Sequence, residues 1–217
     1  MTTINHHLNA EILTGYAAGT LPEAFNLLVA THISLCDMCR AELGALESIG
    51  GAMLDTEETV AVSDNALKSV FDLIERNPKD PILTQPPTQR SAVFPSPLQD
   101  YVGGDLANVK WRNVGGGVRQ SVLQTSRDAS IRLLSIPGGA AMPDHGHRGT
   151  EMTLVLQGAF IDDGERFGRG DVEIADEHLE HTPVAEVGQD CICLAATDAP
   201  LKFRQWLPRI AQPFVGI

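Results

Sequence analysis

No stretch of the sequence approaches the ~18 to 20 consecutive apolar residues that a bilayer-spanning helix needs, and its N-terminus has neither a basic lead nor a long apolar core. A membrane protein is therefore not expected, and the chain reads as cytoplasmic. Positive charge is also scarce, with 16 Lys and Arg against 28 Asp and Glu, a formal net charge of -12. Such a surface repels phosphate backbones, so direct nucleic-acid binding is not expected, whereas a basic protein partner fits. Solubility alone accounts for the same charge. Cysteine is limited to four residues, placed as Cys36-x-x-Cys39 and Cys191-x-Cys193. Two close pairs point to metal or redox chemistry instead of a secreted disulfide framework. No internal repeat is visible.

What is present divides the chain in two. At 217 residues with 43% hydrophobic content, one or two domains with real cores are expected. Residues 1–77 read as helical. Asn9 predicts an N-cap for a helix over 10–18 that stops at Gly19, and Thr20-Leu21-Pro22-Glu23 carries the cap, proline and glutamate of a second helix start. The apolar run 24–34 should pack centrally in a small bundle. Residues 40–54 continue as helix until Gly50-Gly51 weakens it. Beyond the acidic stretch 55–58, Leu67, Val70, Phe71 and Ile74 form an i, i+3, i+4, i+7 stripe, which is usually core but can dock onto a partner from a helix so placed.

Between Pro78 and Pro97 stand six of the 13 prolines, which should exclude both helix and central strand and leave a semi-rigid linker. From Leu98 the pattern becomes short strands parted by glycine-rich turns, expected near 109–114, 118–124, 131–136, 153–156, 172–175 and 191–195. That rhythm predicts an antiparallel barrel. Cys191 and Cys193 share one face of the last strand, as quiet core thiols or as thiols facing a metal cavity.

Two constellations carry chemistry. In His32-x-x-x-Cys36-x-x-Cys39 the spacings of four and three bring an imidazole and two thiols together around a helix end. Those donors suit tetrahedral zinc, with His6 or His7 to complete the set. The second is Gly139 to Gly158, where His145 and His147 share strand parity and Glu151 keeps it. Imidazole plus carboxylate suits zinc, iron, manganese or nickel, and His178 or His181 can supply a fourth ligand.

The pattern Gly, five residues, His-x-His, three residues, Glu, six residues, Gly resembles the first motif of the cupin superfamily position for position. The second cupin motif is degenerate. Counted from Gly170, Asp176 stands where proline is usual, His178 where glycine is usual and Ala185 where asparagine is usual, while His181 falls at the metal histidine. The resemblance implies a small β-barrel with metal at its mouth.

The whole chain, including Leu13-Thr14-Gly15-Tyr16-Ala17-Ala18-Gly19-Thr20-Leu21-Pro22-Glu23-Ala24, resembles the ChrR-type zinc-binding anti-sigma factors. That resemblance implies an α+β protein of two domains: a helical zinc-binding anti-sigma domain over 1–77, a Pro-rich linker over 78–97 and a cupin barrel over 98–217. It implies one zinc in each domain, held by His7, His32, Cys36 and Cys39 in the first and by His145, His147, Glu151 and His181 in the second. The implied partner is an extracytoplasmic-function (group IV) sigma factor, released in response to singlet oxygen or organic hydroperoxides. The competing expectation is a dioxygenase-like cupin metalloenzyme, for which Asp144, Arg148 and Glu180 are the nearest acid–base candidates.

Overall fold

The computed structural model describes residues 3–76, 92–146, 148–177, 180–199 and 202–203. Most of the expected linker, along with His147 and His178, lies outside the described residues.

Five helices come first: α1 (Ala10–Ala17), α2 (Glu23–Ile33), α3 (Asp37–Leu54), α4 (Ala66–Arg76) and α5 (Ser96–Val102), followed by a 3-10 turn at Leu106–Asn108. Helix α1 starts as its sequence predicts, since the Asn9 side chain accepts the Ile12 amide at 2.9 Å, and Gly19 turns the chain away at φ +67. The start of α2 differs from expectation. Pro22 precedes it with no side-chain cap, the Thr20 hydroxyl bonds to the Gly15 carbonyl, and Glu23 reaches away from its own helix. Its two carboxylate oxygens accept the Tyr101 hydroxyl at 2.8 Å and the Ser126 amide at 2.7 Å. Partners distant in sequence have displaced the local capping box.

Helix α3 runs through Gly50-Gly51, because a cost of about 1 kcal/mol per glycine does not break an 18-residue helix. Helix α5 stands where proline was expected to forbid one. Pro97 lies in its first turn, where a missing N–H is no loss, and Gly103 at φ +75 ends it. Just upstream, the Asp105 carboxylate takes the Val93 and Phe94 amides at 3.0 and 2.9 Å, and Phe94 is buried. The segment 92–97 is thus packed structure.

The β region comprises β1 (Arg112–Gly115), β2 (Val118–Leu123), β3 (Ser130–Ile136), β4 (His145–Gly146), β5 (Glu151–Gln157) and β6 (Ala159–Asp162). It continues with β7 (Glu165–Gly168), β8 (Val172–Ala175), β9 (Glu180–His181), β10 (Val184–Ala185), β11 (Cys191–Thr197) and β12 (Lys202–Phe203). All pairings are antiparallel. The main sheet has the order β1-β2-β3-β11-β5-β8, and two three-stranded sheets, β10-β6-β7 and β12-β4-β9, complete the barrel. The hairpin β6–β7 was not foreseen, although Asp163 (φ +44) and Gly164 (φ +83) make the Asp-Gly turn that favours such hairpins.

Strand parity decides where the core sits. On one face of the main sheet Ile131, Leu133, Met152, Leu154, Leu156, Val172, Ile192, Leu194 and Ala196 join a cluster with Leu13, Phe25, Leu28, Leu43, Phe94 and Leu98. On the other face Ile136, Val155, Cys191 and Cys193 pack inside the barrel with Phe160 and Phe167. Helices α1, α2, α3 and α5 therefore form a layer over the sheet, with α2 nearest to it, instead of a bundle around its own core. Apolar surface on both sides of β11 is what forces that covering layer.

Leu28 lies fully buried in this shared cluster. Leu28→Ala should cost about 2–5 kcal/mol in denaturant unfolding, and hydrogen exchange should quicken together in α2 and β11. Faster exchange confined to the helices would refute a common core.

Candidate metal centres

The first centre is assembled from three pieces of chain. Residues 3–9 form an extended strap carrying His7, the last turn of α2 carries His32, and Cys36 and Cys39 open α3. Helix α2 ends at Ser34 and the chain re-enters helix at Asp37, so Cys36 becomes the N-cap of α3 and accepts the Cys39 amide at 3.4 Å.

The four donors converge. Each offers an atom within 4.8 Å of the others, and His32, Cys36 and Cys39 are buried. Cys36 Sγ is 3.3 Å from His7 Nδ1, Cys39 Sγ is 3.7 Å from the same nitrogen, and His32 Nε2 is 3.3 Å from Cys39 Sγ. Bonds of about 2.3 Å to sulfur and about 2.0 Å to nitrogen around tetrahedral zinc set such atoms roughly 3.5 Å apart. The donor set and its spacing fit that ion. His6, the other upstream candidate, points elsewhere: its ring packs on Phe167 at 4.2 Å and meets Glu165 at 3.3 Å.

Electrostatics tell the same story. Burial lowers the His32 pKa to about 4 against the opposing hydrogen bond to the Gly170 carbonyl, so the ring is neutral at physiological pH. Its Nδ1–H donates to Gly170 at 2.9 Å, and Nε2 is left with a lone pair facing the sulfurs. Burial pushes the Cys39 thiol up to about 11, with the Leu8 amide opposing and Cys36 adding to the rise. A cation is what would hold that sulfur as thiolate.

The second candidate centre draws on strands β4, β5 and β9. His145 of β4 stands opposite His181 of β9 in the strand register, and Glu151 opens β5 opposite Thr197 of β11 and Ala175 of β8. Residues 148–150 are not strand, so unbroken parity from His145 to Glu151 does not hold; the chain bends between β4 and β5. His181 is buried, and its Nδ1 lies 2.6 Å from Asp162 and 3.8 Å from Glu173. A carboxylate held against a histidine Nδ1 is the usual carboxylate–histidine arrangement at metal sites.

Asp162, Glu173 and His181 form a buried cluster that sequence reasoning missed in part. A signal for Glu173 existed: it is the single acid in Val-Glu-Ile-Ala, a strand with apolar neighbours on both sides. Burial, then its hydrogen bond with Asp162 and the nearby Asp162, Glu151 and Glu165 charges, push the Glu173 carboxyl up to about 9. Nitrogen and oxygen donors here suit zinc, iron, manganese or nickel alike.

Cys191 and Cys193 resolve toward the barrel interior, with sulfurs 3.4 Å apart and both buried. Hydrogen bonding with Cys191, then burial, raises the Cys193 thiol pKa, and the Glu173 and Glu151 charges add to it. They are core residues whose surroundings include the carboxyls of the second centre. Arg148 is exposed on a bend, and Asp144 is half-buried ahead of β4.

Residues 99–200 match the family model described as the ChrR cupin-like domain. The chain is 57% identical over 215 residues to the anti-sigma-E factor ChrR of Cereibacter sphaeroides, covering 99% of this chain and 100% of that protein. It is likewise similar to a crystal structure of Rhodobacter sphaeroides SigE in complex with the anti-sigma ChrR, at 57% identity and a TM-score of 0.79. That match covers 90% of this chain and 100% of that one.

Removing either buried sulfur donor by Cys36→Ala or Cys39→Ala should take one zinc equivalent from the purified full chain, counted by native mass spectrometry, while barrel metal stays; an unchanged count would sink the first centre. Glu173 gives a pH-dependent outcome. A carboxyl whose folded pKa is raised stabilises the fold less as pH climbs from about 4.5 toward 9. In the metal-free chain Glu173→Gln should therefore raise the melting temperature, by more at pH 8 than at pH 5, in parallel thermal melts.

Proposed function

This chain belongs to the ChrR anti-sigma factor family, and from that membership we propose that it binds an extracytoplasmic-function sigma factor and keeps it from initiating transcription. The observation carrying the proposal is helix α4. Leu67, Val70, Phe71, Leu73 and Ile74 are all more than half exposed, at 53% to 70%, and no residue of the helix is buried. Of the two readings of this stripe, core and docking face, its exposure supports the second, because periodicity records an apolar face without saying what covers it. On the polar side Lys68 and Arg76 flank Asp72 at 2.9 and 4.0 Å, so that side is internally paired while the apolar one stays open.

Val60 and Val62 before α4, and Ile49, Met53 and Leu54 at the end of α3, extend the exposed apolar surface. An amphipathic helix of this kind is suited to lie in a hydrophobic groove of a partner. The net charge of -12 adds attraction for a basic, DNA-binding partner. Such a complex belongs in the cytoplasm, where polymerase is.

In this reading zinc in the first centre staples the strap, α2 and α3, beyond whose end the docking helix α4 follows, and the barrel is a sensor, not a catalyst. Release under singlet oxygen or organic hydroperoxide would follow from loss or change of a barrel ligand among His145, His147, Glu151 and His181. It requires the sigma complex to weaken by roughly 3 to 5 kcal/mol to go from mostly bound to mostly free.

Phe71→Ala with Ile74→Ala should weaken capture of a co-expressed sigma factor at least tenfold while leaving zinc content and melting temperature unchanged. Undiminished capture would take the docking role away from α4.

A further inference from the structure

The first centre is not enclosed by the helical region alone. Its outer partners come from the turn joining β7 to β8, more than 130 residues away. His32 donates from Nδ1 to the Gly170 carbonyl at 2.9 Å, and the bond is buried. The neighbouring Asp171, only 2% exposed, accepts the Asn5 and His6 amides on Oδ1 at 2.7 and 3.0 Å, and the Gly168 amide on Oδ2 at 2.8 Å. Val172 then donates its amide to the His6 carbonyl at 3.2 Å.

The residue before His7 is thus clamped at both its N–H and its C=O, so the strap enters the cluster along a fixed path. The approach is close enough to dictate sequence. Gly170 has φ +93, and a Cβ there would lie 2.6 Å from Ile4 Cδ1.

We propose that Gly170 and Asp171 of the barrel are positioning residues for the helical metal centre: one fixes His32 as the Nδ1–H tautomer, and the other sets the strap that presents His7. Histidine ligands are held in tautomer and orientation by such outer hydrogen bonds, whose loss typically costs about 10- to 100-fold in metal affinity. The peptide bonds just beyond Asp171 lead to Glu173, which lies 3.8 Å from His181 in the barrel cluster. Two residues of β8 therefore connect the supports of both centres, and a change in the barrel cluster has a short covalent route to the first metal. The regulatory sense of this link rests on the anti-sigma reading; the coordination claim does not.

The test uses the full chain with both centres metallated. Cobalt substitution gives a thiolate-to-metal charge-transfer band from the Cys36–Cys39 site alone, since the barrel set has no thiolate, and chelator competition on that band reads its affinity. Asp171→Ala should lower affinity about 10- to 100-fold, and Asp171→Asn, which keeps an acceptor for the strap amides, should recover part of the loss. In the unsubstituted chain, long-range proton–nitrogen correlation should find the His32 proton on Nδ1. Affinity for Asp171→Ala within threefold of the unsubstituted chain, or a His32 proton on Nε2, would overturn the proposal. The second measurement needs no variant to fold. Failure to capture a sigma factor would remove the functional reading while leaving these two readouts to stand or fall separately.

Discussion

The structure depends on a sheet that is apolar on both faces. Strand β11 runs Cys191-Ile192-Cys193-Leu194-Ala195-Ala196 with every one of these residues buried, paired to β3 on one side and β5 on the other. A strand like that cannot be left half in water. Its inner face is satisfied by closing the barrel around Phe160 and Phe167, and its outer face needs a second layer, which α2 supplies with Phe25, Leu28 and Val29. What the chain order presents as two domains is held together through one continuous apolar cluster.

That packing also distributes the chemistry. The first centre forms at the edge of the covering layer, where the end of α2 meets the turn before β8, and so draws hydrogen bonds from both regions. The second centre lies inside the barrel, reached by the strand faces opposite those the helices cover. Soft sulfur and imidazole gather at one, carboxylates and imidazole at the other, and donor sets so different suit different metals.

Much of this was legible because it is local. Asn9 as a cap, Gly19 as a stop, the four-and-three spacing of His32, Cys36 and Cys39, and the alternation of the main strands all express contacts within a few residues. What escaped is long-range. Glu23 has the spacing of a capping box, yet its carboxylate is taken by Tyr101 and Ser126. Leu67 to Ile74 has the period of a core helix, and only tertiary structure tells that none of the helix's residues is buried among the described residues. Asp162 joins His181 through the β6–β7 hairpin, and the Gly170 carbonyl that meets His32 is backbone, which leaves no side-chain signature at all. Local spacing left His6 and His7 both open and only the family resemblance named His7, which the strap's path brings to the sulfurs.

The separation between the first centre and its outer partners has a consequence for biosynthesis. All four donors have been synthesised by Cys39, whereas Gly170 and Asp171 follow about 130 residues later. A nascent chain can therefore gather its thiols and imidazoles around an ion well before the barrel exists to brace them. Tightening of that grip becomes a late event of maturation, one that a truncated translation product never reaches.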